Sequence, residues 1–174
     1  MHTLHEAVAR CRTLVVEGPE GTGRDALLAG LARAGFLVRP SRGHLHHVDP
    51  TRPYRELLAA PGRLAVDGGL IHELVYGPLR RGRSRVTWIQ ALDFAEAVAE
   101  RDGALVHLRH RGRAADAESA ESAEAADAYG RAFHTLAQHV PVVTVDAEGP
   151  GPPIRAPDAA AWQLARRRRK LTVN

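Results

Sequence analysis

The sequence predicts a three-layer α/β domain built on a five-stranded, mainly parallel sheet, and three observations carry that prediction. Short Val- and Leu-rich runs recur along the chain, each too brief for a helix and each bounded by turn residues or charge. Stretches with apolar residues at helical spacing stand between them, the alternation that parallel β–α–β units require. The residues with chemical potential, Gly18 to Asp25, Asp67 and Asp146, fall at strand ends. Ligands bind at those ends in open parallel sheets.

Taken in order, "RTLVVEG" from Arg12 is a buried strand that stops at a glycine turn. Asp25 to Ala34 sets Leu27, Leu28 and Leu31 on one helical face and ends at Gly35. "FLVRP" is a second strand closed by Pro40, "SRGHLHHVDPTRP" a polar loop, and "PYRELLAA" a short helix entered at Pro53. "RLAVDG" is a third strand with Asp67 at its carboxyl end. "SRVTWIQALDFAEAVAERDG" is an amphipathic helix expected to bury Ile89, Leu92, Phe94, Ala95 and Val98, with "GALVHLR" as the fourth strand after it. The small, acidic "GRAADAESAESAEAADAYG" suits either an exposed helix or a mobile arm. "VPVVTV" is the fifth strand, "DAEGPGPPIRAPD" a loop and "DAAAWQLARRRRK" a final helix.

A chain of 174 residues suits one domain spanning residues 1–174. With 44% apolar and 25% charged residues it is globular rather than disordered. The lone Cys11 excludes an internal disulfide framework. No stretch is apolar enough to span a membrane, and "MHTLHEAVAR" has no signal core, so a cytoplasmic protein is expected. Part of the net charge of +4 sits in "RRRRK", Arg166 to Lys170. Nucleic acid is a conceivable partner of that run, but without interleaved aromatics a solvated helix end is the preferred reading.

The segment "GPEGTGRD", Gly18 to Asp25, nearly spells the phosphate-cradling loop G-x-x-x-x-G-K-[ST]. Its glycines let backbone N–H groups turn toward phosphate oxygens, and the helix that follows adds its positive end. Those contacts are made by Gly18, Gly21, Thr22, Gly23, Arg24 and Asp25 through the main chain. Arg24 replaces the lysine, and its planar fork is not a compact ammonium. Asp25 replaces the hydroxyl that binds magnesium, and can ligate the ion only as a carboxylate.

With these residues quoted, "VVEGPEGTGRDALLAGLARAGF" and "LAVDGGLIHELVYGPLRRGRSRVTWIQALDFAEAVAERDGALVHL" resemble thymidylate kinases and their phage relatives. The resemblance runs over Leu14 to Leu108, with an echo at "AYGRAFHTLAQHVPVVTVD". It implies a P-loop fold like that of nucleoside monophosphate kinases, with ATP and Mg2+ phosphorylating a pyrimidine nucleotide. Glu17 keeps the acidic residue before the loop. Asp67 matches the Asp of an Asp-Arg pair and would act as base or, with Asp25, as metal ligand; Gly68 stands where the arginine should. His72, Tyr76 and Arg80 would line the acceptor pocket, and Asp146 would lie beside adenine. Arg109, Arg111 and Arg113 would belong to a lid within 109–128. A homodimer is carried as a further partner expectation.

The changes at 24, 25 and 68 remove groups used for positioning and charge stabilisation, on which phosphoryl transfer depends. The alternative function is therefore a catalytically degenerate nucleotide-binding or scaffold protein. Other constellations are weaker. His44, His46 and His47 with Asp49 read as solvated loop rather than zinc site. Ser41, His72 and Asp67 lack a nucleophile elbow. Trp88 and Trp162 are expected in the core, and Glu118, Glu121 and Glu124 on a solvated face.

Overall fold

The computed structural model describes residues 3–40, 49–110 and 120–147. In chain order the elements are α1 (Leu4–Arg10), β1 (Thr13–Glu17), α2 (Arg24–Arg33), β2 (Leu37–Pro40), α3 (Arg52–Leu58) and β3 (Leu64–Asp67). There follow α4 (Leu70–Arg81), α5 (Trp88–Glu100), β4 (Gly103–His110), α6 (Ala120–Leu136) and β5 (Val142–Ala147). The strands form one sheet in the order β2-β3-β1-β4-β5, and every pairing is parallel.

Side-chain alternation along the strands divides the core in two. Val15, Leu64, Val66 and Leu105 face the layer made by α3, α4, α5 and α6. Leu14, Val16, Ala65, Ala104 and Val106 face α1 and α2, where Val8, Leu28 and Leu31 pack. All of β1 is buried, as a central strand covered on both faces must be. Its run is apolar except for Thr13 and Glu17 at its ends, and Glu17 is fully buried. Arg101 ties the opposite edge together: its guanidinium donates to Leu58 O, Ala60 O and Thr13 Oγ1. Because the strands run one way, Glu17, Asp67, His110 and Ala147 all end at a single edge of the sheet.

The expected inner face of α5 is corrected in its first turn. Ile89 is 71% exposed and Trp88 47% exposed, whereas Ala91, Phe94, Ala95 and Val98 are buried and Leu92 is half-buried. The capping box between Thr87 and Gln90 fixes where the helix starts. From there the 91/94/95/98 face meets the sheet, and position 89 lies well off it. The acidic stretch is helix from Ala120, and its Ala125, Tyr129 and Phe133 are buried. The final helix, Trp162 and the basic run lie outside the described residues. Among the described residues, no helix is long and apolar enough to cross a membrane.

Candidate functional site

Strand β1 delivers the chain into the glycine turn at the carboxyl edge. Gly18 is required there by contact: a Cβ would lie 2.5 Å from Leu108 O and 2.8 Å from Leu108 Cβ on the neighbouring strand. The turn closes on itself, since buried Thr22 donates through Oγ1 to Pro19 O at 2.8 Å. Gly21 and Gly23 have φ of +80° and +65°, conformations that glycine adopts without penalty, and α2 starts at Arg24. The N–H of Glu20 donates to Tyr76 Oη at 3.2 Å. The N–H groups from Gly21 to Asp25 have no hydrogen-bond acceptor among the described residues. A helix start with open N–H groups favours an anion.

Arg24 does not extend away from the loop. Its guanidinium donates to Gly18 O at 2.6 Å and to Asp67 Oδ1 at 3.4 Å. It also fills the space beside Gly68, whose hypothetical Cβ would stand 2.9 Å from Arg24 Nη1. Gly68 has φ of +60°, so a side chain there meets backbone strain as well. Beneath this pair, Glu17 Oε1 accepts the N–H of Ile71 at 3.1 Å and caps the first turn of α4. Glu17 Oε2 is buried with no hydrogen-bond partner among the described residues. Burial pushes the Glu17 carboxyl up to about 7, against the opposing pull of Arg24 and of the Ile71 and His72 N–H groups.

Beside the loop lies a cavity of about 370 Å³ lined by Asp67, Tyr54, His72, Glu73, Tyr76 and Arg80, with Arg24 and Arg81 at its margins. Thus His72, Tyr76, Arg80, Asp67 and Arg24, all expected at the site, do share one pocket. The rings of His72 and Tyr76 are 4.5 Å apart, and the Arg80 guanidinium covers the Tyr76 ring at 4.3 Å. Tyr129 Oη lies 3.3 Å from His72 Nδ1. Burial, then the charge of Arg24, lowers the His72 pKa, so its ring is neutral near pH 7. Behind it, His107 stacks on Phe133 at 4.2 Å, and burial drives its pKa down to about 4.

Asp25 is exposed in the first turn of α2. Arg109 and Asp146, expected at the lid and beside adenine, pair with each other across β4 and β5, at 2.8 Å. Arg111 and Arg113 lie outside the described residues, as do Ser41, His44, His46, His47 and Glu118. Asp49 binds Thr51 and Arg55 at the entry to α3. Among the described residues no cluster of three or more His, Cys, Asp or Glu is arranged for a metal. The sequence does not single out Tyr54 or Tyr129, it offers Glu73 only as part of the segment His72 to Pro78 that resembles an acceptor-pocket wall, and it marks Glu17 only as an acidic neighbour of the loop. A carboxylate closing an otherwise apolar strand was the available signal.

This geometry has counterparts. No known family model matches the sequence, and no curated protein matches it. Among solved structures, the chain is similar to the YorR protein of Bacillus subtilis, crystallised in complex with phosphorylated GDP. The TM-score is 0.61 at 13% identity, covering 91% of this chain and 94% of that one. What the two share is the fold, in this chain a five-stranded parallel sheet between helices. A deoxyadenosine kinase from M. mycoides with bound dCTP is 14% identical over 91% of this chain and 99% of that one, with a TM-score of 0.46.

Proposed function

We propose that the protein transfers a phosphoryl group from ATP with Mg2+ to an acceptor of the nucleotide class. One observation carries the reading. A glycine turn with open N–H groups and an aromatic-walled pocket meet at the Arg24–Asp67 pair, on the carboxyl edge of a P-loop fold.

The loop fits nucleotide phosphates because the N–H groups of Gly21 to Asp25 have no acceptor within the chain and stand at a helix start. Asp25, exposed in the first turn of α2 beside the loop, and Asp67, which would have to release Arg24, are the carboxylates that would hold Mg2+ together with phosphate and water oxygens. The ion would supply neutralisation of charge on the phosphates. Asp67 lines the pocket, which supports its role as the group that takes the acceptor's proton. Arg24 is within reach of both halves, and an incoming phosphate competes with Gly18 O and Asp67 for its guanidinium. The segment 109–128 remains the proposed lid, its described parts being the end of β4 and the start of α6.

Calorimetry with ATP, with and without Mg2+, followed by ADP release on an acceptor panel headed by pyrimidine nucleotides, tests the proposal. Magnesium-dependent binding and acceptor-dependent ADP release are expected. A chain that binds no ATP with Mg2+ present would show the reading to be wrong.

A further inference from the structure

The arginines of the acceptor pocket narrow the phosphotransferase reading, on which this inference rests. Arg24, Arg80 and Arg81 line the cavity against two carboxylates, Asp67 and Glu73. With His72 neutral the lining is net positive and suits an anion. The three arginines differ in how firmly they are held. Arg80 forks onto Glu20 at 3.1 and 3.0 Å and also bonds Glu121 at 2.8 Å. Arg81 bonds Glu73. Both side chains are exposed, at 41% and 43%. Arg24 is only 23% exposed and stands 3.4 Å from Asp67. A well-made guanidinium–carboxylate bond is about 2.7–2.9 Å. The most enclosed guanidinium at the pocket is thus the one least committed to a carboxylate.

The placement of that guanidinium separates it from the loop. Arg24 opens α2, yet its side chain reaches across to the end of β3. Gly68 there has no side chain, and a Cβ would stand 2.9 Å from Arg24 Nη1. A guanidinium from α2 therefore takes the place of a side chain on the turn between β3 and α4. The cavity it lines includes none of Gly21, Thr22, Gly23 or Asp25, whose N–H groups are open. Gly18 O anchors Arg24 at 2.6 Å, and this bond with the one to Asp67 engages only part of its N–H fork. A phosphate monoester carries a charge of about −1.5 to −2 at neutral pH. With more charge and more oxygens than Asp67, it competes well for the rest of the fork.

We propose that the Arg24 side chain binds the phosphate of the acceptor and not those of ATP, and so selects a nucleotide over the matching nucleoside. Among this chain's own groups, the donor phosphates are then left to the main chain of the loop. The exchange of partners also releases the Asp67 carboxylate while the acceptor is bound.

The test measures acceptor and ATP separately in the full chain, in Arg24→Gln and in Arg24→Lys, by calorimetry and by ADP release with Mg2+. The acceptors are pyrimidine 5′-monophosphates, each beside its own nucleoside. In Arg24→Gln the KM for the monophosphate is expected to rise at least about tenfold, while ATP affinity changes by less than about threefold and nucleoside affinity stays as it was. Arg24→Lys keeps the charge but not the planar fork, and should fall between the other two chains for the monophosphate. Either variant alone decides the comparison, so it stands if one of them fails to fold. A loss of ATP affinity as large as the loss for the monophosphate overturns the inference. So does a preference for monophosphate over nucleoside that the substitutions do not lower. Both outcomes leave the phosphotransferase reading intact, since the unaltered chain still binds ATP and releases ADP. An unaltered chain that binds ATP but no 5′-monophosphate overturns the inference alone, and one that binds no ATP overturns both.

Discussion

The two halves of the site are built from different material. On the donor side the groups proposed to bind phosphate are backbone N–H groups, set by the glycine turn and the start of α2, and they have no acceptor among the described residues. On the acceptor side the polar groups are side chains from β3, α4 and α6, and the arginines there are already matched with carboxylates. Backbone recognition survives a change of side chain, so Arg24 and Asp25 alter the donor half without dismantling it. Recognition by side chains depends on every partner, so a change in any one of these pairs alters what the acceptor half can hold.

The sharpest way to separate the halves is Asp67→Asn. If Asp67 takes the acceptor's proton, turnover at saturating ATP and Mg2+ should fall by a factor of about 10² to 10⁴, a larger loss than any in ATP affinity. Single-turnover kinetics beside ATP calorimetry would show the split, and equal losses in both would place Asp67 in ATP binding instead.

The next largest effect concerns the floor common to both halves. The Glu17 pKa in the fold, about 7, lies above its ordinary 4.5, so folding favours the neutral carboxyl. Its stabilising contribution is whole below about pH 4.5 and is lost as pH rises to about 7. Glu17→Gln keeps an acceptor for the Ile71 N–H and carries no charge. Denaturation curves should show this variant losing less stability across that window, and above pH 7 it should be the more stable chain by about 3 kcal/mol. Parallel pH profiles for the two chains would contradict the assignment.

Asp25→Ser acts on the donor half alone. It should weaken the dependence of ATP affinity on Mg2+ by removing a charge that repels phosphate when no ion is present, an effect of about 1 kcal/mol at an exposed helix start. Titration of ATP at several Mg2+ concentrations measures it. Arg80→Ala is the smallest perturbation. Its pairs with Glu20 and Glu121 are exposed, so thermal stability should drop by less than about 1 kcal/mol. A larger loss would mean that Arg80 holds the loop in place through Glu20.

The donor half was legible in the sequence because its physics is local. A strand, a glycine turn and a helix start occupy consecutive residues from Thr13 to Arg33, and each has its own residue signature. The acceptor half was not, because its pairings join distant positions: Arg24 to Asp67 across 43 residues, Arg80 to Glu20 across 60. The residues His72, Tyr76 and Arg80 could be named, yet nothing in their spacing shows that Arg80 is taken up by two glutamates. Helix α4 itself was obscured by Gly77 and Pro78, which interrupt a pattern that the structure continues to Arg81. In α5 the apolar stripe of "WIQALDFAEAV" is wider than one face, and only contact with the sheet chooses Ala91 and Phe94 over Trp88 and Ile89.

The backbone at Gly68 also sets which of two neighbouring positions is free to vary. The Arg24 guanidinium lies 2.9 Å from where a Cβ at 68 would stand, but it is the far end of a flexible side chain and can give way. The left-handed backbone at 68, with φ of +60°, strains any side chain placed there whatever residue stands at 24. Position 68 is therefore held to glycine by its own main chain, while position 24 is held only by its side-chain bonds.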